Sequence, residues 1–381
     1  MRNDVRFATL AAGLALAVVA LAGGPAVGGP PSPPPLAPLP ELKPEKPEQV
    51  ELGKMLFFDN RMSGDADRRC ADCHDPKKGW ADGMALSDGY PGNKYFRNSK
   101  TIINVAYAPY LYWDGRMDGE DLPTQVRDAL TESYWHLMDG RIMLERWKQA
   151  PEYVERFKTA MGGEANFGRT LNAVAAFMKS LTSKNVPFDK YLKGDQGAIS
   201  EEAKQGLALF QGKAGCIECH NGPMLSDYKP RALGVPENPY VFLTPKRHLQ
   251  YRSVMKSLGV PNYMNLLEDV GYYGVSKLKK DIGTFITPSL REVSRTAPYM
   301  HNGMLATLED VVEFYNKGGG DRPNKDALLK PLGLSVSEKA ALVAFLKTLS
   351  GDELIPPDLD RLNDQKMLAP YAKYDWLKYS H

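Results

Sequence analysis

Cys70-Ala71-Asp72-Cys73-His74 and Cys216-Ile217-Glu218-Cys219-His220 are the two stretches whose reading decides the fold. They hold all four cysteines of the 381-residue chain, which leaves none for a disulfide, a lone thiol nucleophile or a separate metal site. CxxCH is the attachment pattern of c-type haem: two thiols add across the porphyrin vinyl groups, and the adjacent imidazole ligates the iron. A zinc site built from two CxxC pairs would explain the cysteines but not the histidine that follows both pairs. The expected cofactors are therefore two covalently bound c-type haems on Cys70, Cys73, Cys216 and Cys219. His74 and His220 are the expected proximal iron ligands.

An internal repeat surrounds these motifs. Gly53-Lys54-Met55-Leu56-Phe57 precedes the first, and Gly206-Leu207-Ala208-Leu209-Phe210 precedes the second. Ala176-Phe177-Met178-Lys179-Ser180-Leu181 closes one half and Ala344-Phe345-Leu346-Lys347-Thr348-Leu349 the other. Leu171, Val174, Ala175, Met178 and Leu181 fall at helical spacing. No run of alternating strand residues is evident, although short hairpins fit around the haem motifs. The reading is a mainly α fold of two cytochrome c-like domains, each with one covalently bound c-type haem. Residues 48–190 form the N-terminal domain, with the peroxide-reactive haem, and 191–355 the C-terminal domain. Residues 356–381 are read as a C-terminal extension.

At the N-terminus, Arg2 and Arg6 precede an apolar run from Phe7 to Ala22 that has the length of a secretory signal. Residues 1–22 are read as a signal peptide cleaved near Ala22, with an uncleaved anchor as the alternative. Residues 23–47 are read as a proline-rich linker. The expected location is the periplasm, with no membrane span after signal cleavage. Forty-eight basic against 46 acidic residues give a formal charge of +2, which supplies no warrant for nucleic-acid binding.

Further motifs carry a resemblance. Arg97-Asn98-Ser99, Tyr112-Trp113-Asp114-Gly115-Arg116 and Thr287-Pro288-Ser289-Leu290-Arg291 are followed by Thr296-Ala297-Pro298-Tyr299-Met300-His301-Asn302-Gly303 and by Thr307-Leu308-Glu309-Asp310-Val311-Val312. In order and spacing, over residues 49–351, the chain resembles the bacterial dihaem cytochrome c peroxidase and MauG family. The resemblance implies that the residue 14 positions beyond His301 ligates the C-terminal haem iron; here it is Tyr315. The peroxidase branch has methionine there and the MauG branch tyrosine, so the chain is expected closer to MauG. A phenolate is a hard, anionic donor that favours oxidised iron. By composition alone, Tyr315 reads as a tyrosine packed in the core.

The resemblance also implies that Trp113 carries electrons between the haems, where an isolated tryptophan reads as core. It further implies a calcium ion (Ca2+) bound by Asn98 and by the carbonyls of Thr296 and Pro298. These residues equally suit ordinary turns. No histidine lies between His74 and His136, and Tyr90 sits near the family's removable distal ligand beside Pro91. The N-terminal haem is accordingly expected five-coordinate. A family glutamate moves the peroxide proton. The insertion Glu120-Asp121-Leu122-Pro123 breaks the register, leaving Glu132 as candidate, or a solvated helix-end residue, with Gln125 as a further distal-pocket candidate. MauG's exit tryptophan is replaced by Ala214. Trp80, Trp135, Trp147 and Trp376 offer other routes.

The expected function is a MauG-like enzyme. It would use hydrogen peroxide to reach a high-valent dihaem state and oxidise aromatic residues, tryptophan foremost, of a partner protein during its maturation. The alternative is a dihaem peroxidase that reduces hydrogen peroxide to water with electrons from a small cytochrome c or cupredoxin. A non-enzymatic electron carrier, with both irons six-coordinate, is the third class.

Overall fold

The computed structural model describes residues 32–90 and 92–364. The expected signal peptide at 1–22, Pro91, Trp376 and most of the expected C-terminal extension lie outside the described residues. The first half carries α1 (Pro47–Phe57), α2 (Leu122–Thr131), α3 (Gly140–Lys148), α4 (Pro151–Met161) and α5 (Phe167–Ser180). The second carries α6 (Pro187–Leu192), α7 (Glu201–Gln211), α8 (Pro239–Leu243), α9 (Pro245–Ser257), α10 (Tyr273–Ser276), α11 (Leu308–Asn316) and α12 (Val336–Lys347). A last helix, α13 (Leu359–Asn363), follows. The fold is mainly α, as the sequence predicts.

The helix starts follow from local chemistry. Ser200 and Asn166 cap α7 and α5 by accepting from the backbone N–H of Ala203 and Arg169. Thr307 with Asp310 and Ser335 with Glu338 form capping boxes at α11 and α12. Pro47 and Pro151 open α1 and α4, where a missing N–H costs nothing.

Two helix crossings make the frame, and each depends on a glycine. A Cβ on Gly53 of α1 would stand 1.9 Å from the Ala173 carbonyl oxygen of α5, and one on Gly206 of α7 would stand 2.0 Å from that of Ala341 on α12. Only glycine allows main chain to meet main chain this closely. The aromatic rings four positions on repeat the match. Phe57 meets Phe177 at 5.2 Å and 62°, and Phe210 meets Phe345 at 5.1 Å and 61°. The sequence repeat is thus a repeat of packing.

Strand structure is confined to two antiparallel ladders among the described residues. In one, β1 (Tyr110–Leu111) pairs with β2 (Met117–Asp118), Leu111 opposite Met117. In the other, β3 (Pro230–Arg231) pairs with β4 (Phe285–Ile286), Arg231 opposite Phe285.

Three features depart from a plain two-domain picture. A third apolar core joins Val241, Tyr251, Val254 and Met255 of the second half to Leu86, Tyr95 and Phe96 of the first. The start of the C-terminal extension returns to the first core, where Leu359 and Leu362 are buried. The described part of the proline-rich segment, residues 32–46, has no regular secondary structure and is seated on the body. Its Pro40 and Ala37 carbonyls accept from the Tyr107 hydroxyl and the Arg291 guanidinium. Among the described residues no helix is long and apolar enough to cross a membrane.

Candidate active site

The two CxxCH motifs adopt the same local form. Each begins a 3-10 turn, Cys70–Asp72 and Cys216–Glu218. The turn brings the histidine N–H back to the first cysteine carbonyl, at 3.0 Å for His74 and 2.9 Å for His220. His74 donates from Nδ1 to the Trp80 carbonyl at 3.1 Å, and His220 to that of Leu225 at 2.9 Å. Trp80 and Leu225 both have positive φ, 59° and 49°, which aims these carbonyls at the imidazoles. With Nδ1–H engaged, Nε2 is the free lone pair, the arrangement typical of a metal-ligating histidine. Burial lowers both imidazole pKa values, favouring the neutral ligating form. Burial also pushes the thiols up, to about 12 for Cys70, Cys73 and Cys216 and about 11 for Cys219. They are therefore protonated in the chain before haem is attached.

All four cysteines and both histidines line one continuous cavity. These residues fit two covalently held haems. Among the described residues no group of three or more His, Cys, Asp or Glu is assembled to hold a metal ion.

Trp113 lies in this cavity between the halves. Its indole N–H donates to the Asn98 carbonyl at 3.0 Å, and its own carbonyl accepts from Ile286 of β4 at 2.9 Å. The Lys100 ammonium stands 5.3 Å from the ring centroid, and burial lowers its pKa to about 8. Beside Trp113, the buried Asp114 accepts from Arg97 at 2.5 Å and from Arg116 at 2.9 Å. Burial alone would raise its pKa, but Arg116 and Arg97 outweigh this and hold it down to about 2. Arg97 also donates twice to Asp269 of the second half, at 2.7 Å each. A charged network thus pins the tryptophan loop to both halves.

The predicted distal residues separate. Gln125, on α2, lines the cavity and donates to the Tyr112 hydroxyl at 3.4 Å. Glu132 is exposed and does not line it. Positions 125, 129 and 132 would share one face of a continuous helix. However, α2 ends at Thr131, and Glu132 turns to extended backbone (φ −65°, ψ 133°). Burial and neighbouring Asp128 raise the Glu132 pKa, with Arg116 opposing. Tyr90 is not in the cavity lining either; its hydroxyl donates to Asp65. The residue that sequence reasoning passed over is His136, which is buried and lines the cavity.

In the second half, Tyr315 of α11 lines the cavity. Burial, then Cys216 and Cys219, push its pKa up, so both attachment thiols lie within electrostatic range of the phenol. Asn98, Thr296 and Pro298 also reach the cavity, and the Asn98 amide donates to the Pro298 carbonyl at 3.3 Å. Ala214 lines the cavity too. Of the other tryptophans, Trp80 is buried against Phe57 and Phe177, and Trp147 lies tilted against Tyr153. Trp135 lines the cavity, 4.3 Å from the ring of Tyr95.

Comparison with known proteins gives a consistent picture. The family model described as di-haem cytochrome c peroxidase matches residues 47–197. Cytochrome-c peroxidase IdrP2 of Pseudomonas sp. (strain SCT) is 51% identical over 316 residues, 83% of this chain and 85% of its own length. Methylamine utilization protein MauG of Methylorubrum extorquens is 34% identical over 314 residues, 82% of this chain and 81% of its own. Among solved structures, a MauG-like protein associated with microbial copper homeostasis superposes with a TM-score of 0.69 at 26% identity, covering 86% of this chain and 96% of that one.

Proposed function

The chain belongs to the di-haem cytochrome c peroxidase family, and from that premise we propose that it reduces hydrogen peroxide to water with electrons from a small cytochrome c or cupredoxin. It is a haem-dependent oxidoreductase, and its two CxxC pairs, Cys70/Cys73 and Cys216/Cys219, are consistent with two c-type haem sites. The higher identity to a cytochrome-c peroxidase, 51% against 34% to MauG, supports peroxide reduction over the MauG-like activity expected from Tyr315.

The observation that carries this reading is the shared cavity. His74 and His220, each with Nδ1 tied to a carbonyl, open into it, and Trp113 lies between the halves. When bound, the haems supply iron that gives electrons to peroxide and takes them from the donor. The chain does the rest. His74 and His220 present Nε2 as proximal ligands, and Trp113, fixed by Asn98 and Ile286, links the halves electronically. Gln125 provides an amide in the cavity. Residues 48–190 and 191–355 act as the two haem domains. Asn98 with the Thr296 and Pro298 carbonyls holds calcium, whose charge steadies the tryptophan loop. A leader at 1–22 directs the protein to the periplasm.

Tyr315 favours a second reading: ligation by its phenol would let the enzyme hold oxidising equivalents and withdraw them from aromatic residues of a partner protein. One experiment separates the two. Peroxide is added to fully oxidised and to half-reduced protein, with and without a reduced cytochrome c or cupredoxin. Peroxide reduction is expected to consume two donor electrons per peroxide. Peroxide loss without donor oxidation, coupled to a persistent spectral change of the fully oxidised protein, would favour the second reading; Tyr315→Met should then abolish that change.

A further inference from the structure

His136 is 7% exposed and follows α2, the helix that carries Gln125, Ala129 and Leu130 into the cavity. Its Nδ1 lies 2.8 Å from the Ala129 carbonyl, which selects the tautomer with the proton on Nδ1. Nε2 is buried and meets no hydrogen-bond donor among the described residues, with the Arg69 carbonyl of the attachment loop also within reach of the imidazole. This repeats the arrangement of His74 and His220, an imidazole anchored by a carbonyl with its second nitrogen left as a bare acceptor. The main chain fixes the position as well. The His136 carbonyl accepts from Gly64 at 2.9 Å, and the Trp135 and Leu137 N–H groups both return to the Glu132 carbonyl. Glu132 is thus the hinge of the turn that delivers His136.

An unpartnered buried acceptor is costly unless something else fills the role. The site requires a group that moves a proton between the two peroxide oxygens, and Glu132 does not line the cavity. We propose that His136 is the catalytic acid–base residue of peroxide cleavage at the His74 haem site. This rests on the peroxidase reading. Nε2 accepts the proton of one peroxide oxygen and returns it to the other. The O–O bond breaks, and its electron pair leaves with the protonated outer oxygen as water. The remaining oxygen takes two electrons from the donor protein and two protons from solvent to become the second water. Burial keeps the imidazole neutral, and the charged groups facing it are Asp72 and Arg68 of the attachment loop.

The test uses the holoprotein and two readouts. One is the rate of the peroxide-induced spectral change. The other is the rate at which cyanide binds to the oxidised protein, since hydrogen cyanide must also lose its proton. His136→Asn keeps an N–H donor for Ala129 but removes the base. It is expected to slow both rates by about 100-fold or more, with haem content and resting spectrum unchanged. Added imidazole should restore part of the rate in His136→Ala. Unchanged rates in His136→Asn, or a comparable loss in Glu132→Gln, would overturn the proposal. If either His136 variant fails to retain haem, the other decides, through the cyanide rate or imidazole rescue. The cyanide arm remains informative even if the protein proves not to reduce peroxide, so the two readings can fail separately.

Discussion

The two halves of the molecule share a frame and differ in what faces their haem sites. In both, a glycine brings two helices into main-chain contact, a phenylalanine pair meets at nearly the same distance and angle, and a left-handed residue offers a carbonyl to the proximal imidazole. From the first half the cavity receives an amide and an imidazole, Gln125 and His136; near Cys216 and Cys219 it receives the phenol of Tyr315. The repeated parts build the pockets. The unrepeated segments between them determine what each pocket can do.

The comparison breaks most severely at Arg97, whose guanidinium bonds buried aspartates of both halves. Arg97→Ala leaves Asp114 and Asp269 without it in a buried setting and is expected to cost about 3–5 kcal/mol. Denaturant unfolding followed separately at each haem should then resolve into two transitions. Coincident transitions at wild-type denaturant concentration would contradict the bridging role. Next come Gly53→Ala and Gly206→Ala, each expected to cost about 2–3 kcal/mol because main chain must move apart. Similar losses at the two sites would confirm equivalent crossings, and a loss at only one would break the parallel.

A smaller effect is confined to the second half. Burial and Asp269 raise the Glu237 pKa to about 7. The folded state therefore holds this proton more tightly than the unfolded chain. Its stabilising contribution is complete below the unfolded carboxyl pKa and is lost as pH rises toward 7, by about 2 kcal/mol. Glu237→Gln should flatten stability between pH 4.5 and 7, measured by thermal melts; an unchanged slope assigns the linkage elsewhere. Trp113→Phe removes the hydrogen bond to Asn98 and is expected to cost about 1 kcal/mol. Its larger signature should be slower electron exchange between the halves in stopped-flow experiments. The smallest stability effect is expected at Tyr315, whose hydroxyl makes no hydrogen bond among the described residues. Tyr315→Phe should change stability by under about 1 kcal/mol while shifting the spectrum of the second haem alone.

Much of the frame was legible in the sequence because it repeats. The GxxxF and AFxKxL segments are short, local and helical, and their partners are each other. The third core was not legible, since Val241, Tyr251 and Val254 find Leu86 and Phe96 only through long-range packing. Nor was the return of Leu359 and Leu362 to the first core, for helical spacing does not say which core a helix joins. The position of Glu132 outside the cavity lining was not legible either, because a register broken by the 120–123 insertion does not say that α2 ends at Thr131. His136 could have been noticed as a histidine beside Trp135 directly beyond that helix, but nothing local in the chain announced that its Nε2 would be left bare.

The glycine crossings bear on how such a chain can change over time. Once two helix backbones interlock, the loops strung between them no longer hold the fold together, and insertions there leave the scaffold standing. The second half illustrates this. Between α7 and α12 it carries α8 to α11, where the first half carries α2 to α4 between α1 and α5, yet the geometry of its Phe210–Phe345 contact stays matched to that of Phe57–Phe177. New chemistry in this architecture can therefore be acquired by splicing, with the interlock itself left untouched.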